Sequence, residues 1–418
     1  MSPDQIQVFK QKALQYAANF EVCSYLDSHN YSDRYGKHDC LIAFGAKEEL
    51  SVCTGQAFSD LKAFVNEHRD WMFGLLSYDL KNEVEALETP KTDLLNFPDL
   101  YFFVPQYLIS ISKNQINVLK GDKALVDKIL QLKIEEEPPT VPVNIKSRLS
   151  KQAYLDQLES IKQHIKRGDV YEMNFCQEFF DDHAEINPSS IYNKLKEVSP
   201  TPFSGFFKIQ DRFVLSATPE RFLAKNGNQL TSQPIKGTAK RSENPKEDSQ
   251  IKTALRNSEK EKAENVMIVD LVRNDLTKSA VKGSVKVDEL FGIYSFPQVH
   301  QMISSISCEL SPDVHFVDAI KNTFPMGSMT GAPKLRAMQL IDQYEVSKRG
   351  VYSGSLGYIT PSGDFDFNVV IRSILYNSTN KYLSFQVGGA ITYQSDSEKE
   401  YEECLLKASA MMSVLSNN

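Results

Sequence analysis

Between residues 150 and 167 the apolar side chains Tyr154, Leu158, Ile161 and Ile165 recur at three- and four-residue spacing, which predicts a helix. Ahead of it, residues 71–79 and 100–104 are short apolar runs and read as buried strands. Residues 203–209 and 213–216 read as two strands paired across a short polar turn. The glycine-rich stretch 324–334 leads into a helix over Lys334–Tyr344. Near the C-terminus, Tyr401, Cys404, Leu405, Ala408 and Met412 form one stripe of a helix. That helix places Glu400, Glu403 and Lys407 along one flank, at i, i+3 and i+7. No internal repeat is visible. There is also no run of alternating strands and helices with a cofactor loop, so a dinucleotide-binding domain is not supported.

The charged, then proline-rich run Glu135-Glu136-Glu137-Pro138-Pro139-Thr140-Val141-Pro142-Val143 is the best boundary in the chain. It divides an N-terminal subdomain, 1–145, from a catalytic domain, 146–418. A chain of 418 residues, 41% hydrophobic and 24% charged, suits a soluble globular protein with a large core. The net charge of −7 argues against nucleic-acid binding, which needs a basic face. No apolar run reaches the roughly 18 residues of a membrane span. The start, Met1-Ser2-Pro3-Asp4-Gln5, lacks the basic and apolar regions of a secretion signal. Cys23, Cys40, Cys53, Cys176, Cys308 and Cys404 are scattered, the pattern of reduced thiols in a cytoplasmic protein.

Three stretches carry candidate chemistry. They are Ser216-Ala217-Thr218-Pro219-Glu220-Arg221-Phe222, Pro234-Ile235-Lys236-Gly237-Thr238, and the run from Ala263-Glu264-Asn265 to Arg273-Asn274-Asp275-Leu276. Together they resemble the chorismate-utilising enzymes, which include anthranilate, aminodeoxychorismate, isochorismate and salicylate synthases. The resemblance covers nearly the whole chain and is dense from about residue 168. It implies an α+β fold, with two large, mostly antiparallel sheets packed face to face, surrounded by helices and interleaved with the N-terminal third. Anthranilate synthases resemble Pro-Ile-Ala-Gly-Thr where this chain has Lys236. A lysine there marks the aminodeoxychorismate synthases, component I, which place nitrogen at C4 of chorismate and retain the enolpyruvyl group.

By that resemblance Lys236 is the nucleophile and Glu220 the general acid. Glu264, Glu400 and Glu403 bind Mg²⁺, and Thr238, Tyr352, Arg372, Gly388 and Lys407 contact substrate. Alone, Glu400 and Glu403 read as a solvated acidic face, and Glu220 beside Arg221 reads as a surface ion pair. To donate a proton near neutrality Glu220 needs burial. Lys236 attacks only as the free amine. With an ordinary lysine pKa of roughly 10.4, burial or a cationic neighbour is expected to lower it. Tyr25-Leu26-Asp27-Ser28 falls where relatives build a regulatory amino-acid pocket.

Three positions depart from the pattern. Gly388-Gly389-Ala390 carries an extra methyl. Glu172 replaces the glutamine usual in ammonia-using relatives and the water-activating lysine of isochorismate synthases. Gln301 stands where many relatives have histidine, with His300 adjacent. Ser51-Val52-Cys53-Thr54-Gly55 misses the Gly-x-Cys-x-Gly elbow of glutamine amidotransferases, so ammonia is expected from a separate glutaminase subunit. The competing expectations are an anthranilate synthase component I, which releases pyruvate, and a non-catalytic chorismate-binding subunit.

Overall fold

The computed structural model describes residues 1–31, 33–53, 55–134 and 142–416. Most of the expected linker, residues 135–141, and Thr54 of the Ser51–Gly55 run lie outside the described residues. The 150–167 periodicity is the helix Lys151–Arg167, with Ser150 capping it by accepting from the Ala153 N–H and Gly168 closing it in the left-handed conformation. The helix Lys334–Tyr344 starts and ends where the pattern places it. The expected strand at 100–104 runs on to Ser112. Pro105 does not stop it, because Pro105 falls at a bulge in the pairing with Cys40–Val52, where the ladder is already interrupted.

Every pairing between the described strands is antiparallel. The long strands Cys40–Val52 and Leu100–Ser112 belong to two layers at once. From Cys40–Val52 one layer continues through Val22–Asp27, Ser204–Ile209, Arg212–Ser216, Ser373–Asn377 and Tyr382–Thr392 to Glu172–Asp181. From Leu100–Ser112 the other continues through Met72–Leu76, Ser355–Ile359, Phe365–Asn368, Arg221–Asn226 and Gln229–Gln233 to Val299–Glu309. Val299–Glu309 also pairs with Ile235–Lys240 and with the edge strand Lys286–Ser295.

Side-chain alternation divides the core. Leu41, Ala43, Phe207, Val214 and Leu375 join one cluster with Phe102, Leu356 and Phe367 of the other layer. Their neighbours Ile42, Phe44, Phe206, Leu215 and Ile374 join a second cluster with helix residues such as Phe9, Leu158 and Met411. The Phe207 ring, 6.2 Å from Tyr101 and 6.0 Å from Phe103, joins the layers. The N-terminal strands thus lie inside both sheets, between segments from the later part of the chain.

The C-terminal helix, Ser397–Ser416, buries Glu400, Cys404, Ala408, Met411, Val414 and Leu415. Its seam is therefore rotated from the expected stripe, and Leu405 is exposed. The rotation matters because it turns Glu400 inward. Among the described residues no helix is long and apolar enough to cross a membrane.

Candidate active site

The far ends of the two layers meet where Glu172–Asp181 of one faces Ile235–Lys240 of the other. Lys236 is buried there, and its Nζ donates to Glu172 Oε1 at 2.7 Å. Burial by itself would lower the Lys236 pKa. The charge and hydrogen bond of Glu172, with Glu264 and Glu220 nearby, outweigh it and hold the ammonium above its ordinary range. The expected lowering is thus reversed: the neighbours of this lysine are carboxylates, not cations.

Glu220 sits in the turn before Arg221–Asn226 and is buried. Burial pushes its carboxyl up to about 7, against the opposing pull of the Ser328 hydroxyl, Lys236, the Ile235 N–H and Arg372. It does not pair with its neighbour. The Arg221 guanidinium points the other way, onto Asp366, Asp33 and Gln233. A carboxyl held near 7 keeps its proton below that pH and loses it above. The same shift removes stability as pH rises from the ordinary carboxyl range through about 7, since the folded state binds the proton more tightly.

Glu264 lies on the helix Glu259–Thr277, at the head of the buried stripe Ile268, Val272, Leu276. That four-residue spacing was a signal in the sequence: a glutamate in line with an apolar face. Burial pushes it up to about 7, opposed by Lys236 and reinforced by Glu172 and Glu261. Its Oε1 is buried and makes no hydrogen bond among the described residues. Glu400 is also raised by burial, with the Ser395 hydroxyl opposing and Glu403 adding to the shift. Glu403 is lowered by Lys407, 2.7 Å away. Lys260 stands between Glu264 and Glu400, at 3.8 and 4.0 Å.

These three glutamates do not form a closed cage. Among the described residues the only three acidic or histidine side chains with ligand atoms all within 4.8 Å of one another are Asp181, Asp182 and His183. The orphaned Glu264 oxygen and the hard oxygen donors fit a cation that retains waters, which is the habit of Mg²⁺.

Gly388 pairs with Cys176, and a methyl added to it would lie 2.1 Å from the Phe175 carbonyl. Packing between strands therefore requires this glycine. Its carbonyl accepts from Lys407 Nζ at 2.9 Å, which ties Gly388 to the glutamate helix. The next residue, Gly389, faces Glu400, Lys407 and Glu403. Tyr352 is buried with its hydroxyl 3.3 Å from Cys176 Sγ, in the layer beneath Gly388. The Arg372 guanidinium makes no hydrogen bond among the described residues, and Glu220 is its charged neighbour. Thr238 is exposed, and no side-chain hydrogen bond joins it to the others among the described residues. It pairs in register with Gln301, whose Oε1 is buried and without a hydrogen-bond partner among the described residues. His300 faces away, bound to Asp248 and Ser295, so it does not substitute for the missing histidine.

The loop 324–333 closes the site. Asn174 binds it through the Thr330 and Ser328 carbonyls, at 2.7 and 3.0 Å. Gly331 allows this approach, since with φ at +155° an added methyl would lie 2.2 Å from the Glu172 carbonyl. Nothing in the local pattern pointed to Glu172 as the partner of Lys236 or to Lys260 between two glutamates. Elsewhere, a cavity of about 320 Å³ is lined by Asp27, Ser28, Phe203 and Arg221, so the Tyr25–Ser28 region does border a pocket.

Residues 21–413 match the chorismate binding enzyme family. The chain is 33% identical over 352 residues to aminodeoxychorismate synthase component 1 of Escherichia coli K12, covering 82% of this chain and 76% of that protein. It is 36% identical over 362 residues to aminodeoxychorismate synthase of Streptomyces griseus, covering 82% of this chain and 49% of that one. The crystal structure of anthranilate synthase component I from Streptococcus pneumoniae superposes with a TM-score of 0.80 at 25% identity, over 91% of this chain and 93% of that one. The two-layer antiparallel fold, the lysine and glutamates gathered where the layers meet, and a match running through nearly every strand agree: this chain belongs to the chorismate binding enzyme family.

Proposed function

We propose that this protein converts chorismate and ammonia to 4-amino-4-deoxychorismate, as an aminodeoxychorismate synthase component I serving p-aminobenzoate and folate synthesis. The observation that carries the reading is Lys236, buried where the layers meet, beside a glutamate that can hold a proton near neutrality. Lys236 adds to ring carbon C2 while Glu220 protonates the departing C4 hydroxyl. Ammonia then bonds to C4 and Lys236 leaves. Arg372 and Lys407 supply positive charge for the substrate carboxylates. Glu264, Glu400 and Glu403 would hold Mg²⁺, which when bound supplies Lewis-acid polarisation of the ring carboxylate. The ammonia comes from a separate glutamine amidotransferase subunit. Six free cysteines, five of them buried, suit a reducing, cytoplasmic setting.

The test is mass spectrometry of the product from chorismate, Mg²⁺ and ammonium. An aminated product that retains the enolpyruvyl group is expected, and fluorescent anthranilate with free pyruvate would overturn the reading.

Two further outcomes are expected. Glu220→Gln lowers kcat by about 10²–10⁴-fold, the usual range for a lost general acid. At fixed free ammonia the parent activity falls as pH rises through about 7, because Glu220 gives up its proton there, and the variant lacks that fall. A parent profile flat through this range would remove Glu220 as the acid. For the metal, excess chelator abolishes turnover. Even outer-shell partners of a metal are worth about 10–100-fold in affinity, so Glu403→Gln raises the Mg²⁺ needed for half-maximal rate at least tenfold. Full activity in chelator would exclude the Mg²⁺ reading.

A further inference from the structure

We propose that Glu172 is the proton acceptor that converts Lys236 from an ammonium to a nucleophilic amine. The inference rests on the reading of Lys236 as nucleophile. Glu172 Oε1 lies 2.7 Å from Nζ and is the only hydrogen-bond partner of that nitrogen among the described residues. The two side chains are 2% and 10% exposed, so bulk water does not compete as acceptor. The second oxygen, Oε2, is buried and has no hydrogen-bond partner among the described residues. A carboxylate serving only as a strut would be expected to use both oxygens. The Glu172 backbone is paired on both sides, with Ala332 and with Thr392, which fixes the carboxylate against the lysine.

Other charges face the pair without bonding to Nζ. Glu220 approaches from its turn, Glu261 and Glu264 from the helix Glu259–Thr277, and Glu403 from the helix Ser397–Ser416. Glu264 also faces Glu172.

The steps balance. One proton passes from Nζ to Oε1, leaving a neutral amine and a neutral carboxyl. The amine lone pair forms the N–C2 bond, the ring double bonds shift, and the C4–O bond breaks. The oxygen leaves as water with the proton of Glu220. Ammonia bonds to C4 as the double bonds shift back and the N–C2 electrons return to the lysine. The new C4 ammonium returns a proton to Glu220, and Glu172 returns its proton to the amine. The sum is chorismate plus ammonia giving 4-amino-4-deoxychorismate plus water. Glu172 bonds to the reacting nitrogen and acts as its general base in this scheme.

The experiment compares the parent protein, Glu172→Gln and Glu172→Asp with chorismate, Mg²⁺ and ammonium, at constant free ammonia between about pH 7 and 9. In Glu172→Gln the lysine must lose its proton to solvent. Its kcat is expected to fall on the order of 10²-fold, with KM for chorismate within about twofold. Relative to the parent at the same pH, its rate should also climb about tenfold per pH unit, as a single added deprotonation requires, because the loss of the Glu220 proton is common to both. Glu172→Asp keeps a carboxylate and is expected to recover part of the rate and the parental profile. A Glu172→Gln enzyme with parental kcat and profile overturns the proposal. If that variant does not fold, Glu172→Asp decides: a parental profile supports the proposal, and a rate that climbs about tenfold per unit relative to the parent overturns it. A parent protein that forms no aminated product overturns the functional reading itself, which is a separate result.

Discussion

Lys236→Ala lowers formation of 4-amino-4-deoxychorismate by at least about 10³-fold, the scale on which a lost nucleophile is felt when the rest of a site survives. Residual product shifts towards nitrogen at C2, because the variant reads Pro-Ile-Ala-Gly-Thr. The substitution also removes the only hydrogen-bond partner of Glu172 Oε1 among the described residues. A buried carboxylate left alone costs about 3–5 kcal/mol, so the single variant is less stable as well as slower. The double variant Lys236→Ala/Glu172→Gln separates the two effects. It should regain most of the stability, since no charge is left unpaired, and none of the rate. The measurements are rate and regiochemistry by mass spectrometry, with the unfolding midpoint alongside. An unchanged rate with nitrogen still at C4 would make Lys236 a structural residue.

Arg349→Met is expected to destabilise the fold by about 3–5 kcal/mol, the cost of breaking a fully buried pair. Arg349 and Glu345 are 1% and 3% exposed and lie 2.6 Å apart. Arg349 also donates to the Met329 carbonyl at 2.7 Å, and Glu345 accepts from the Cys176 N–H at 2.9 Å. One ion pair therefore joins the loop 324–333 to the strand that carries Glu172. Its loss should lower the urea midpoint and raise KM for chorismate, because Ser328 and Gly331 would no longer be held against the site. Arg349→Met/Glu345→Leu should recover part of the stability, since an apolar pair replaces an unpaired charge. If the single variant keeps the parental midpoint, the pair does not hold the loop.

Local spacing reaches a definite depth in this chain. Four apolar residues and a serine cap are enough to specify the helix Lys151–Arg167, because its hydrogen bonds lie within four residues of one another. The same holds for Lys334–Tyr344. Spacing also puts Glu400, Glu403 and Lys407 on one flank of a helix. It misplaces that helix's seam by part of a turn, because Leu405 and Met411 are equally apolar and only packing chooses between them. Local pattern also ends the strand too early, at residue 104, whereas it runs through Pro105 to Ser112, since a tolerant bulge depends on the partner strand and not on the proline.

By itself, then, the sequence determined the two helices, the flank that carries the acidic pair, and a lysine framed by Pro-Ile and Gly-Thr whose resemblance points to chorismate chemistry. The tertiary structure alone decided the state of that chemistry. Glu172 and Lys236 are 64 residues apart and meet only because strands from different layers face each other. Glu220 is held near 7 by enclosure, and Arg221 beside it in the chain does not bond to it because its guanidinium points elsewhere. The charge a side chain carries depends on solvent exclusion and on the charges within a few ångströms. Both are properties of the folded neighbourhood, which no short window of sequence contains.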